Sequence, residues 1–232
     1  MQIANHVEML EIDGEYGVLY PVLIWDDDHL VLIDTVMPGQ EGTLREAVLK
    51  AGFPLEKITT VIITHQDIDH IGCAKALAEL GAEIFAYETE APYIQGDKTS
   101  IRVTDAESRI NDLTEAEREF FERTKKDARR LYVHVDLPLK DNETLDICGG
   151  IKVIHTPGHT PGHISLLLKR DNILVAGDAA NITDGAITGA SPEYTRDMRE
   201  AQASLDKMMG SGPASVVCYH GGFLSLSGEP AS

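Results

Sequence analysis

The chain has few basic residues: 20 lysines and arginines stand against 38 aspartates and glutamates, for a formal net charge of −18 in 232 residues. A surface so acidic repels a phosphate backbone, whose binding relies on Lys and Arg neutralising it, so nucleic acid is not an expected partner. Cysteine is sparse too. Cys73, Cys148 and Cys218 are odd in number, widely spaced and without a paired-Cys motif, which argues against a disulfide framework and for a reducing compartment. No apolar run approaches the roughly 18 to 20 residues that crossing a bilayer takes. The opening Met1-Gln2-Ile3-Ala4-Asn5-His6 also lacks a basic segment followed by a long apolar one. A soluble cytoplasmic protein, unexported and with no membrane partner, is expected.

What is present is 43% hydrophobic residues, enough for a sizeable core, in a length that suits one domain over 1–232. Residues 17–25 and 29–34 read as two strands of a hairpin joined by Asp26-Asp27-Asp28. A helix is expected over 42–51, ended by Gly52 and Pro54, then a buried strand over 60–63 and a helix over 71–80. Residues 105–131 are dense in mixed charge, and Ile110, Leu113, Phe120, Phe121, Ala128 and Leu131 recur near helical spacing. Thr114 stands three residues before Glu117, a capping-box pattern. This helical insert, at about 100–131, is either a packed surface helix or a cap over the active site. Strands follow over 143–147, 151–155, 163–168 and 172–176. A last helix over 194–209 carries Met198, Ala201, Leu205, Met208 and Met209, and a strand over 214–218 precedes a small, polar tail over 225–232.

Directly after Val61-Ile62-Ile63 comes Thr64-His65-Gln66-Asp67-Ile68-Asp69-His70, two histidines and two carboxylates in six residues. These are the nitrogen and oxygen donors of divalent transition metals, and a strand-to-helix turn holds such donors rigidly. Three later segments each set a strong ligand beside glycine at a strand end: Thr156-Pro157-Gly158-His159-Thr160-Pro161-Gly162-His163, Gly177-Asp178, and His220-Gly221. Glycine permits sharp backbone turns and proline stiffens them.

With those stations in this order, from 65 to 220, and with the hairpin ending at Asp34, the chain resembles the metallo-β-lactamase-fold hydrolase superfamily. Its usual order is an HxHxDH run, a His in a TPGHT-type turn, an Asp in a GD-type turn and a final His. The resemblance implies an α+β fold, a four-layer αββα sandwich of two mainly antiparallel sheets flanked by helices, with a binuclear metal centre at one edge. Carried over position by position, it implies that one metal takes His65, Asp67 and His159, the other takes Asp69, His70 and His220, and Asp178 bridges both.

Asp67 departs from the family, which usually has His there; among its relatives the flavodiiron oxidoreductases carry a carboxylate at this place. A third ligand carboxylate favours harder metals such as iron or manganese more than three histidines would, although zinc remains the first expectation for the two divalent ions. His155 and His163 flank His159 and are candidates to orient a ligand, while His6, His29 and His134 read as structural or surface groups. Cys73 and Cys218 read as small buried thiols rather than ligands. Tyr194 reads either as a buried residue at the start of the last helix or as a phenol near the leaving group.

The implied activity is hydrolysis by water activated between two cations, with Asp69 as a catalytic proton acceptor, on a small ester, lactone, thioester or amide-type substrate. No set of basic residues near the ligand loops marks a glutathione site. The competing expectations are a di-iron oxidoreductase, which Asp67 suggests, and a non-catalytic metal-binding protein. A homodimer is possible.

Overall fold

The computed structural model describes residues 1–14 and 17–227 and, within them, every side chain except those at 120, 124, 127 and 128. Two large sheets organise the chain. Across the first, the strands run Gln2–Ala4, Val7–Met9, Val22–Trp25, Leu30–Ile33, Thr60–Ile63, Glu83–Tyr87 and Leu137–Leu139. Its first three pairings are antiparallel and its last three parallel. The second runs Thr144–Leu145, Ile151–His155, Ile164–Leu168, Ile173–Gly177, Ser215–Cys218 and Gly222–Ser225. It is antiparallel except where Ile173–Gly177 meets Ser215–Cys218. Parallel neighbours require a crossover, and helices supply several of them. Glu41–Lys50 connects Leu30–Ile33 to Thr60–Ile63, Ala74–Glu79 leads on to Glu83–Tyr87, and Met198–Met209 precedes Ser215–Cys218.

Three apolar layers follow from the two-residue period of the strands. Leu30 and Leu32 face Leu44, Val48 and Leu77 on the helical side of the first sheet. Their neighbours Val31 and Ile33 face the second sheet, meeting Val153, Ile164 and Leu166. On the far side of the second sheet, Ile154, Leu174 and Val216 pack on Met208 of the last helix. Helix, sheet, sheet, helix is thus the observed order, the expected four-layer sandwich.

Several boundaries differ from the sequence reading. The strand expected over 17–25 is two, because Pro21 has no N–H to continue a ladder. Gly17–Leu19 pairs with Ile12–Gly14, whereas Val22–Trp25 joins the first sheet. The helix expected over 105–131 is also two, Ile101–Ser108 and Glu115–Leu131. Thr114 forms the capping box with Glu117, but at ψ 165 it opens a new helix and cannot continue an old one. Phe121 and Leu131 of the second helix are buried, Ile110 and Leu113 before it are half-buried, and the side chains of Phe120 and Ala128 are among those not described. The last helix starts at Met198, not at 194, and Met198 is exposed while Met208 is buried. Of the expected tail, Ser225 closes a strand and residues 228–232 lie outside the described residues. No helix among the described residues is long and apolar enough to cross a membrane.

Candidate metal centre

The carboxyl ends of strands from both sheets converge on one place. Thr60–Ile63 delivers Thr64 to His70, Ile173–Gly177 delivers Asp178, and Ser215–Cys218 delivers His220. His159 arrives on the turn after Ile151–His155. Gly158, at φ +129, makes that turn, and a Cβ there would lie 2.4 Å from the Ala201 nitrogen of the last helix, so the ligand turn rests directly on the helix.

All seven side chains come together. His65 Nε2 lies 3.5 Å and His159 Nε2 3.2 Å from Asp67 Oδ2. His70 Nε2 and His220 Nε2 lie 3.6 and 3.3 Å from Asp69 Oδ2. Asp178 reaches both groups: Oδ1 is 3.5 Å from His70 Nε2, while Oδ2 is 3.5 Å from His159 Nε2 and 3.4 Å from His220 Nε2. Most of these separations are too long for good hydrogen bonds, which fall near 2.7–3.2 Å. They match the spacing of two ligands on one tetrahedral cation, about 3.4 Å for bonds of about 2.1 Å. His65 Nε2, His70 Nε2, Asp67 Oδ1 and Asp178 Oδ1 are buried without a hydrogen-bond partner, although buried polar groups are nearly always partnered. The donor set therefore fits divalent metal. His220, 38% exposed, marks the open side of the centre.

The surrounding bonds aim the donors. Thr64 donates through its backbone N–H to Asp34 Oδ1 and through its hydroxyl to Asp34 Oδ2, both at 2.8 Å. With its proton so committed, the Thr64 hydroxyl accepts from His65 Nδ1 at 3.1 Å and leaves His65 Nε2 its lone pair. Asp34 Oδ2 holds His70 Nδ1 at 2.9 Å in the same sense. The Tyr219 ring packs against His70, with ring centroids 3.9 Å apart and planes tilted by 37°. Asp34 itself sits at φ 59, a left-handed conformation that aspartate tolerates and that turns its carboxylate into the site. His163 Nε2 accepts from the Asp178 backbone N–H at 3.0 Å, and its Nδ1 lies 2.9 Å from Thr156 Oγ1.

Glu90 joins the two ligand turns. One of its oxygens accepts from the Gln66 backbone and side chain, at 3.1 and 3.0 Å; the other accepts from Thr160 Oγ1 and the Gly162 N–H, at 2.7 and 2.9 Å.

Burial pushes the Asp67 carboxyl up, but the Arg102 guanidinium outweighs it and holds that group well below the usual range. Asp178 is likewise held well below by the His70 charge and a His220 hydrogen bond against its burial. Asp69 is lowered for the same reasons. His70, desolvated, is nonetheless pushed well above its ordinary value by Asp34, Asp69 and Asp178. His220 is pushed up to about 10 as hydrogen bonds to Asp178 and Asp69 overcome burial. The centre is a negative cradle that draws positive charge from whatever source offers it.

One such source is Arg102. Its Nε and Nη2 donate to Asp67 Oδ2 at 2.8 and 2.5 Å, Nη2 stands 2.9 Å from His159 Nε2, and Nη1 donates to the Tyr194 carbonyl at 2.7 Å. Sequence reading placed no basic residue here, because Arg102 arrives on Ile101–Ser108, far along the chain from every ligand turn. The only signal was indirect: a third ligand carboxylate needs a counter-charge. That short helix is the part of the insert that closes on the centre, and the Ile101 N–H donates to Gln66 Oε1 at 2.8 Å.

The matching family model is that of the metallo-beta-lactamase superfamily, over residues 20–220. The chain belongs to the metallo-beta-lactamase superfamily. Uncharacterized protein YobT of Bacillus subtilis is 29% identical, over 92% of this chain and 89% of its own length. Probable metallo-hydrolase YflN of the same bacterium is 26% identical, over 88% and 80%. A hydroxyacylglutathione hydrolase of Saccharophagus degradans is 28% identical, over 95% and 67%. A metallo-beta-lactamase family protein from Thermus thermophilus superposes with a TM-score of 0.71 at 23% identity, covering 95% of this chain and 75% of that one, a likeness of fold.

In this superfamily member the remaining candidate residues take separate places. His163 touches the Asp178 turn, whereas His155 supports the Pro161 carbonyl at 2.9 Å and stacks on Tyr87. His6 packs on Trp25, and His29 and His134 bond to Asp26 and Gln95, all structural roles. Cys73 and Cys218 are buried, and burial pushes each thiol up to about 12. Tyr194 is 56% exposed, which corrects the buried reading; it sits in a turn ahead of the helix, its N–H donating to the Ser191 carbonyl at 3.2 Å, and its own carbonyl takes up Arg102.

Proposed function

We propose that this protein is a metal-dependent hydrolase of small ester, lactone, thioester or amide-type substrates, working from a centre that holds two divalent cations. The observation that carries this reading is the donor spacing of 3.2–3.6 Å among seven side chains, with Asp178 in reach of both sets. His65, Asp67 and His159 form one set and Asp69, His70 and His220 the other. These residues would hold the cations, which would supply a lowered pKa for bound water and polarisation of the oxygen of a scissile acyl group.

The chain's own groups do the rest. Asp34 and Thr64 fix the ring orientation of His65 and His70, so that their Nε2 atoms stay aimed at the centre. Asp69 is the most open of the three carboxylates, at 21% against 12% for Asp67 and for Asp178, and is the one placed to take a proton from attacking water. The exposed side chains Tyr194 and Met198 lie on the segment bonded to Gly158 and Arg102, beside the centre, and offer apolar surface to an acyl group. The relatives named hydroxyacylglutathione hydrolase put thioesters first among the substrates to try.

The di-iron oxidoreductase reading rested on the carboxylate at 67. Asp67 has a partner in Arg102, which accounts for that carboxylate without a preference for iron. Zinc leads, with iron or manganese as the alternatives.

Protein purified without chelator is expected to carry divalent metal and to hydrolyse at least one member of a panel of hydroxyacyl glutathione thioesters, lactones, β-lactams and phosphoesters. Chelation should abolish turnover and metal return should restore it, while His159→Ala and Asp178→Asn lose metal and turnover together. Full turnover in stripped protein would refute the reading, and two irons with oxygen-dependent colour would favour the oxidoreductase.

A further inference from the structure

The guanidinium of Arg102 lies on the donors of one half of the centre and on none of the other's. It donates twice to Asp67 Oδ2, the oxygen that His65 and His159 also face, and its Nη2 stands 2.9 Å from His159 Nε2. A guanidinium has five N–H donors and no acceptor, so its contact with His159 Nε2 uses the lone pair that a metal would use. The group is also anchored from behind. Nη1 donates to the Tyr194 carbonyl, and two residues on Arg196 Nε pairs with Asp105 Oδ2 at 3.2 Å, joining the same helix to the same segment. The Asp69, His70 and His220 set has no such occupant among the described residues; its only cationic groups are its own imidazoles.

We propose that Arg102 is a resident cation of the His65, Asp67 and His159 half, so that the two halves load metal in sequence. The Asp69, His70 and His220 half, with Asp178, fills first. The other fills only as the guanidinium is displaced from Asp67 and His159. This inference rests on the two-cation reading above. It assigns Arg102 a function that neither metal ligation nor catalysis requires: it balances the carboxylate at 67 while that half is unfilled, and it makes the second metal conditional on concentration. Tyr194 and Arg196 are part of the device, because displacing the guanidinium releases a tie between the short helix and the segment beside the centre.

The experiment is a calorimetric titration of zinc into chelator-stripped, dialysed protein, for the wild type, Arg102→Met and Arg102→Lys, with circular dichroism to verify the fold of each. The wild type should show two steps separated by about tenfold or more, as expected for a metal that must break an ion pair made of two charge-assisted hydrogen bonds to one carboxylate oxygen. Arg102→Met should tighten the weaker step by about tenfold and leave the stronger one in place. Arg102→Lys keeps the charge but loses the fork, so it should fall between them; it serves as the deciding variant if the methionine protein does not fold. Two equivalents with an unchanged weak step in the variants would overturn this inference and leave the two-cation reading standing. A weaker second step in Arg102→Met would also overturn it, since the guanidinium would then be holding Asp67 in place as a ligand. One equivalent in every protein would overturn both.

Discussion

Each histidine of the first ligand run is gripped at one ring nitrogen so that the other is free for a cation. Thr64 takes His65 Nδ1 through a hydroxyl whose own proton is committed to Asp34, and the Asp34 carboxylate takes His70 Nδ1 directly. In the absence of metal the same cradle draws protons. His70 is held above its ordinary value by three carboxylates, and His220 is pushed up to about 10. Both imidazoles therefore carry a proton at neutral pH, and a metal must displace it. Zinc binding at pH 7.5 is expected to release about one to two protons per chain, measured by calorimetry in buffers of different ionisation heat, and its affinity should rise between pH 6 and pH 9. The stability of metal-free protein should move the opposite way. A raised histidine contributes fully below its ordinary value of 6.5, and that contribution is lost as pH rises toward the folded value of about 10, so the stripped protein should melt lower at pH 9 than at pH 6. Zinc binding with no net proton release would contradict this account of the centre.

At the scale of elements, the ligand turns depend on contacts between parts distant in sequence, and Glu90 is the clearest case. It follows Glu83–Tyr87, a strand that the sequence reading did not anticipate, and its carboxylate accepts from four donors on two ligand turns that belong to different sheets. Glu90→Gln replaces an accepting oxygen with an NH2 group that faces two donors. A loss of about 2–4 kcal/mol is expected, with weaker metal binding as the turns separate, read by denaturant unfolding and zinc titration. A change under 1 kcal/mol would mean that the turns are held by something else.

The same residue shows where sequence reading stops. The ligand run was legible because its chemistry is contiguous, and the Thr114 capping box was legible because a cap is a local hydrogen-bond pattern. Glu90 and Arg102 were not legible: each is an ordinary charged residue in its own segment, and each acquires meaning only from a partner that folding brings near, Thr160 in one case and Asp67 in the other. The break at Pro21 was available in the sequence, since proline cannot donate to a ladder, but the strong β propensity of the flanking residues outvoted it. The parallel pairing of half the first sheet was hidden for a different reason. Buried strands of either orientation read as continuous apolar runs, as Val61-Ile62-Ile63 does.

Across the whole molecule, the two sheets are joined at the centre by ionisable donors as well as by apolar contact. Val31, Ile33 and Ile62 from one sheet and Val153, Ile164 and Leu166 from the other form the layer between them. At its edge the first sheet contributes His65, Asp67, Asp69 and His70, while the second contributes His159, Asp178 and His220. Three carboxylates crowded there in a chain of net charge −18 repel one another, and among the described residues Arg102 and protonated histidines are what offset them without metal. A divalent cation on donors from both sheets removes that repulsion and cross-links the halves, so it binds the folded chain in preference to the unfolded one. At a free zinc concentration 100 times the dissociation constant, a site of this kind adds about 2.7 kcal/mol of stability. For a chain of this size that corresponds to a rise in Tm of about 5–10 °C, reversed by chelator and checked by calorimetric melting. His159→Ala takes away a donor of the second sheet and should shrink the rise, and so should His65→Ala from the first. A rise that survives both substitutions would place the cation outside the space between the sheets.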